Sequence, residues 1–131
     1  MSGWVQVVLG LALAYGAWRL FRLLRPGVGP AEAARAVAAG TAVVIDVREP
    51  DEWAAGVAEP ARLLPLSDLQ GARREWGPFL AEQRERRLLL YCAAGGRSGL
   101  AASILRREGF AAENLGSFHR WRAAGLPVRR P

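Results

Sequence analysis

The sequence predicts an α/β fold: an open parallel sheet with helices on both faces, preceded by one transmembrane helix. Three observations carry that expectation. Short continuous apolar runs alternate with helical stretches along residues 30–110; a 16-residue uncharged segment stands near the N-terminus; and a glycine-bearing turn follows directly on the last predicted strand. With 131 residues, 51% hydrophobic and 23% charged, the chain has the length of about one domain and enough apolar residues to build its core. A disordered chain is excluded on the same composition.

From Gly3 to Trp18 no residue is charged, and apolar character resumes at Leu20, Phe21, Leu23 and Leu24 between arginines. A helix over these 22 residues rises about 33 Å, enough for a hydrocarbon core of about 30 Å, with Arg19 and Arg22 snorkelling to the headgroups. A secretory signal carries its positive charge ahead of the apolar run, whereas here Arg19, Arg22 and Arg25 follow it. By the positive-inside rule those arginines place the following domain in the cytoplasm, tethered by a single pass with membrane lipid as its partner. Trp4, Tyr15 and Trp18 are candidate interfacial anchors. The chain is therefore divided into residues 1–25, the span and its basic flank, and residues 26–131, the domain, with Pro26-Gly27-Val28-Gly29-Pro30 as the linker that ends the first helix.

Within the domain, Ala31 to Ala39 reads as a helix with Glu32 in its first turn and Gly40 as its stop. Ala42-Val43-Val44-Ile45 is a buried strand by its β-branched apolar run, Leu88 to Cys92 is another, and Arg62 to Leu66 is a weaker candidate because it contains Pro65. Helices are expected over roughly Asp51 to Ala55, Gly71 to Arg84 and Ser98 to Glu108, the last with Leu100, Ala101, Ile104 and Leu105 on one face. Alternating strands and helices imply a parallel sheet, and ligand sites in such sheets gather beyond the carboxyl ends of the strands, where Cys92 lies.

All 18 basic residues are arginine, facing 12 acids for a net charge of +6, but residues 26–131 hold fifteen arginines against all twelve acids, only +3. Arg84, Arg86 and Arg87 interleave with Glu82 and Glu85 and read as a solvated helix end, so nucleic acid is not an expected partner. The single cysteine excludes an intrachain disulfide and a multi-cysteine zinc site; no metal and no cofactor is expected.

The chemistry concentrates in Tyr91-Cys92-Ala93-Ala94-Gly95-Gly96-Arg97-Ser98, at a strand-to-helix turn. Small residues and two glycines let the backbone curl around the thiol so that successive N–H groups form an anion nest, and the helix beginning near Ser98 adds its positive end. Both favour thiolate over thiol, and Arg97 offers a full positive charge, so Cys92 is the candidate nucleophile and Ala93, Ala94, Gly95, Gly96, Arg97 and Ser98 the candidate substrate-binding cradle. Most lone cysteines are small buried hydrophobes; it is the glycine-arginine-serine continuation at this turn that favours a reactive site. Asp46 and Arg48 read as a structural tie at the end of the first strand, Trp53 and Trp121 as core or pocket-wall aromatics, and His119 as a surface or capping residue.

Three segments together resemble the rhodanese-like (sulfurtransferase) family over residues 30–128. Val44 to Trp53 is similar to its opening strand with the D-x-R-x-x-x-E-aromatic signature. Cys92 to Ser98 is similar to its Cys-x-x-Gly-x-Arg-Ser loop. Asn114-Leu115-Gly116-Ser117-Phe118-His119-Arg120-Trp121, with Gly125-Leu126-Pro127-Val128, is similar to its closing motif. The resemblance implies persulfide chemistry: a Cys92 thiolate takes sulfane sulfur from a small-molecule donor, thiosulfate or a persulfide, and passes it to a thiol or cyanide acceptor. Under the same resemblance, loop amides hold the persulfide, and Arg97 shapes the loop or meets an anionic donor.

The chain departs from the family pattern at Gly56 to Ala61, where a Gly-His-Ile-Pro-Gly-Ala stretch is usual. It departs again at Ser117, in place of a glycine, and at Ala93, where thiosulfate users often carry a basic residue. Two other functions fit the same architecture. A cysteine phosphatase needs a Cys-x5-Arg loop, one residue longer than the Cys92 to Arg97 spacing here, and a membrane-tethered scaffold would keep the fold without turnover.

Overall fold

The computed structural model describes residues 2–24, 27–83 and 85–131. The expected break at Pro26, the flanking Arg25 and the expected helix end at Arg84 lie outside them. Helix α1 runs over Gly3–Leu24, the 22 residues the apolar pattern marks. Its segment Gly3–Phe21 is long and apolar enough to cross a membrane, and none of it is buried; a membrane span and a signal sequence have this length and composition alike.

The domain follows as α2 (Pro30–Ala38), β1 (Ala42–Asp46), α3 (Pro50–Trp53), β2 (Val57–Ala58), β3 (Arg62–Leu63), α4 (Leu66–Leu69), α5 (Trp76–Glu82), β4 (Arg87–Cys92), α6 (Gly96–Arg107), β5 (Ala112–Ser117), α7 (Phe118–Ala123) and β6 (Val128–Arg129). The main sheet has the order β3-β1-β4-β5 with every pairing parallel, and β2 pairs antiparallel with β6 as a separate ribbon.

Strands buried on both faces read as unbroken apolar runs, and alternate side chains divide between two cores. Val43 and Ile45 of β1 and Leu88, Leu90 and Cys92 of β4 join Leu66, Leu69, Trp76, Phe79, Leu80, Ala101, Ala102 and Leu105, contributed by α4, α5 and α6. Ala42, Val44, Leu89 and Tyr91 point the other way, with Leu115 of β5, onto Ala33 and Ala36 of α2 and Phe118 and Trp121 of α7. The expected two-faced parallel sheet is therefore present, and the alternation puts the Cys92 side chain on the face covered by α6.

Several elements differ from the sequence expectation, each for a local reason. The strand candidate ending at Leu66 stops after Leu63, because Pro65 caps α4 instead of continuing a ladder. The helix expected from Gly71 begins only at Trp76. Before it the Asp68 carboxylate accepts hydrogen bonds from the amides of Arg74 (2.8 Å), Glu75 (3.0 Å) and Trp76 (2.9 Å), holding a turn in which Arg73 takes a φ of 53°. Arg87 is not in a solvated helix end: it opens β4 and pairs with Glu113 at 2.6 Å and Glu32 at 3.4 Å. Strand β5 lacks the apolar signature of β1 and β4 because Glu113, Asn114 and Ser117 occupy it.

Candidate active site

The parallel strands β1, β4 and β5 end together at Asp46, Cys92 and Ser117, in register Asp46 with Tyr91 and Cys92 with Ser117. Between Leu90 and Tyr91 the β4–β5 register skips Leu115, a bulge of the kind that re-aims side chains beside functional sites. Past Cys92 the chain makes a three-residue turn, Ala93 to Gly95, and enters α6 at Gly96.

Gly95 carries the turn. Its φ of 98° belongs to the left-handed region that side chains disfavour, and it packs on Gly116, whose Cα would lie 3.6 Å from an added Cβ. This backbone turns amides inward. The Gly95 N–H donates to Cys92 Sγ at 3.0 Å and the Ser98 N–H at 3.4 Å, with Ala94 contributing a further backbone donor. The expected nest is thus assembled at the N-terminus of the twelve-residue α6, whose dipole adds to it.

Cys92 is 1% exposed beneath a loop whose Ala93, Ala94 and Gly96 face solvent. Burial pushes its thiol up, but the hydrogen bonds from Ser98, Gly95 and Ala94 outweigh that and hold it below the ordinary thiol value. Among these donors the amides matter most. The Ser98 hydroxyl has one proton to give and stands 2.7 Å from Asn114 Oδ1, against 3.4 Å from Cys92 Sγ, so it turns to the sulfur only by leaving Asn114.

Asn114 is a site residue that sequence reasoning did not single out. It is 5% exposed, donates through Nδ2 to the Gly95 carbonyl at 3.0 Å, and accepts from the Gly116 N–H at 3.0 Å and from Ser98. One amide therefore ties Gly95 and Ser98 of the loop to Gly116 of β5, and its orientation is set by donors facing its oxygen and an acceptor facing its nitrogen. Its signal in the sequence is its place as the first residue of the closing motif.

Arg97 has a second partner that the sequence did not name, beside the Cys92 charge it still feels. Its guanidinium lies in a two-point clamp on Glu52, Nη1 to Oε1 at 2.5 Å and Nη2 to Oε2 at 2.8 Å. The bond from Arg97 holds the Glu52 carboxyl down at about 2, and Glu52 in turn raises Arg97. Glu52 also accepts from the Glu49 amide in a capping box at the start of α3, so the clamp ties the active loop to that turn.

Beneath it, Asp46 and Arg48 form the structural tie expected of them: Arg48 Nη2 donates to Asp46 Oδ2 at 2.7 Å and to the Gly56 carbonyl at 2.8 Å, with both side chains buried. Arg48 also lies 4.7 Å over the Phe118 ring. Trp121 is buried and donates to the Pro127 carbonyl at 2.8 Å, a core role, while Trp53 is half-buried. His119 is exposed in α7, and the capping falls to Ser117, whose Oγ accepts from the Arg120 amide at 3.2 Å.

Comparison with known proteins agrees with this geometry. The profile of the rhodanese-like domain matches residues 29–124. An uncharacterised Bacillus subtilis protein, YqhL, is 39% identical over 82 residues, covering 61% of this chain and 60% of its own length. A putative mitochondrial thiosulfate sulfurtransferase of Schizosaccharomyces pombe is 33% identical over 84 residues, 58% of this chain and 57% of its own. The aligned regions thus span about three-fifths of these relatives. Among solved structures, a rhodanese-related protein of Thermoplasma volcanium superposes with a TM-score of 0.67 at 26% identity, over 82% of this chain and all of that one. The human single-domain sulfurtransferase superposes with 0.63 at 29%, over 76% and 96%.

Proposed function

Since the chain belongs to the rhodanese-like domain family, we propose that it is a sulfurtransferase that carries sulfane sulfur on Cys92, from a small-molecule donor to a thiol or cyanide acceptor, while α1 holds it at a membrane. The observation that carries this reading is the ring of amides from Ala94, Gly95 and Ser98 around the Cys92 sulfur. Such a ring stabilises an anionic sulfur in a buried position without placing a net charge there, and it acts on thiolate and persulfide anion alike.

In the first half-reaction the Cys92 thiolate donates its electron pair to the outer sulfur of the donor. The donor's sulfur–sulfur or sulfur–sulfonate bond breaks, and the leaving group departs with that pair. Cys92 then holds the sulfur as a persulfide beside the loop amides. In the second, an acceptor thiolate or cyanide attacks the outer sulfur and Cys92 leaves as thiolate, restoring the starting state with no net oxidation or reduction of the protein. Ser98 and Asn114 fix the loop in the conformation that both steps use.

Support for the membrane reading is the uncharged run Gly3 to Trp18 within α1 and the arginines that follow that run, which by the positive-inside rule favour the cytoplasmic side for the domain. The test of the enzymatic reading is mass spectrometry after donor treatment. Cys92 should gain one sulfur that cyanide removes, Cys92→Ser should gain none while remaining folded, and absence of the adduct with every sulfane donor tried would defeat it.

A further inference from the structure

The two arginines of the opening motif and the loop are both already paired. Arg48 is buried against Asp46, and Arg97 is held at two points by Glu52. The loop itself offers no other cation: Ala93 and Ala94 are exposed and neutral. On α7, Arg120 donates to the Leu115 carbonyl at 3.4 Å and Arg122 lies 5.7 Å over the Phe118 ring. What faces the sulfur is thus a set of amide dipoles and the Ser98 hydroxyl, which suit a single negative charge, while Arg97, the one cation of the loop acting on Cys92, is shared with Glu52 of α3.

We infer that Glu52 sets the class of sulfur donor: by neutralising Arg97 it disfavours dianionic thiosulfate and leaves the site suited to a persulfide, R–S–SH. The inference rests on the sulfurtransferase reading above and narrows it. The difference lies in the leaving group. From thiosulfate, attack on the outer sulfur expels sulfite with two negative charges, which needs a cation beside the loop. From R–S–SH, the Cys92 thiolate forms the new sulfur–sulfur bond, the old one breaks, R–S⁻ departs with the electron pair, and the outer sulfur brings its proton, giving Cys92–S–SH. Only one charge is relocated and no external cation is required. Arg97 still shapes the loop through its clamp, and Glu52 acts through Arg97, as a positioning residue for donor choice.

The test compares kcat/KM for thiosulfate and for glutathione persulfide on the full chain, with Glu52→Gln and Ala93→Arg as variants. The ratio of the two on one preparation cancels any loss of folded protein. The wild type should prefer the persulfide. Glu52→Gln, which frees the Arg97 charge, should move the ratio toward thiosulfate by about tenfold, the scale of one unscreened charge near a partly exposed site. Ala93→Arg leaves the clamp intact and should move it in the same direction. A wild type that uses thiosulfate equally or better, or a ratio unmoved by Glu52→Gln, overturns the inference while leaving the sulfurtransferase reading standing. A Cys92 that takes sulfur from neither donor overturns both.

Discussion

Replacing Gly95 by alanine separates the cost of an unusual backbone from the function of the amide it presents. Gly95 sits at φ 98°, and a Cβ there would meet Gly116 Cα at 3.6 Å, an ordinary contact, so the penalty is conformational and not a clash. A side chain in left-handed backbone costs about 1–2 kcal/mol. Gly109, at φ 93° and with open space around it, supplies the matched control with the same penalty outside the loop. Both variants should lose about 1–2 kcal/mol in denaturant unfolding. They should part at the thiol. Relaxing φ at Gly95 swings its N–H off the sulfur it now meets at 3.0 Å. A hydrogen bond to a charged group is worth about 1.5–3 kcal/mol, or roughly one to two pKa units. The assay is the rate of iodoacetamide alkylation of Cys92 against pH. Gly95→Ala should shift the midpoint upward by about one unit or more, and Gly109→Ala should leave it in place. Equal midpoints in the two variants would refute the claim that this amide holds the thiolate.

Three further outcomes follow from the packing and charge. Asp46→Asn strands the buried Arg48 cation and should cost about 3–5 kcal/mol in urea unfolding, whereas loss of well under 1 kcal/mol would show that the pair is not a support of the loop. The Glu52 carboxyl, held down to about 2 from 4.5 first by its bond from Arg97, contributes stability that is present above 4.5 and lost as pH falls toward 2. Glu52→Gln should therefore flatten the stability curve in that window, leaving the slope due to Asp68 and Glu108, which are also lowered. Deleting residues 1–26 should move the chain from the membrane pellet to the soluble fraction, and retention in the pellet would contradict anchoring by α1.

How far the sequence revealed this arrangement depends on what each residue's side chain faces. Strands β1 and β4 are legible because Val43 to Ile45 and Leu88 to Cys92 are packed on both sides, and only apolar residues suit such positions. Strand β5 was hidden for the opposite reason: Asn114 is used to hold Gly95 and Ser98, so the strand surrenders the apolar pattern that would identify it. The ribbons β2 and β6 have two residues each, too few for any period to show. In the site, the cysteine, the glycines and the inward amides could be read from the turn because they are local in the chain. The clamp could not, since Glu52 and Arg97 lie 45 positions apart and nothing in either segment names the other. That single long-range contact ties the active loop to α3 through Arg97.

Sulfur transfer at Cys92 needs the anion-stabilising ring at the end of β4, and the chain has one cysteine, so a thiolate titration reports that ring alone. The measurement is the pH dependence of thiolate absorbance in the folded protein, with Cys92→Ser as blank and the urea-unfolded chain as reference. The folded midpoint should fall clearly below the unfolded one. A midpoint equal to or above it would mean that burial wins over the amides, and Cys92 would then be an inert core residue.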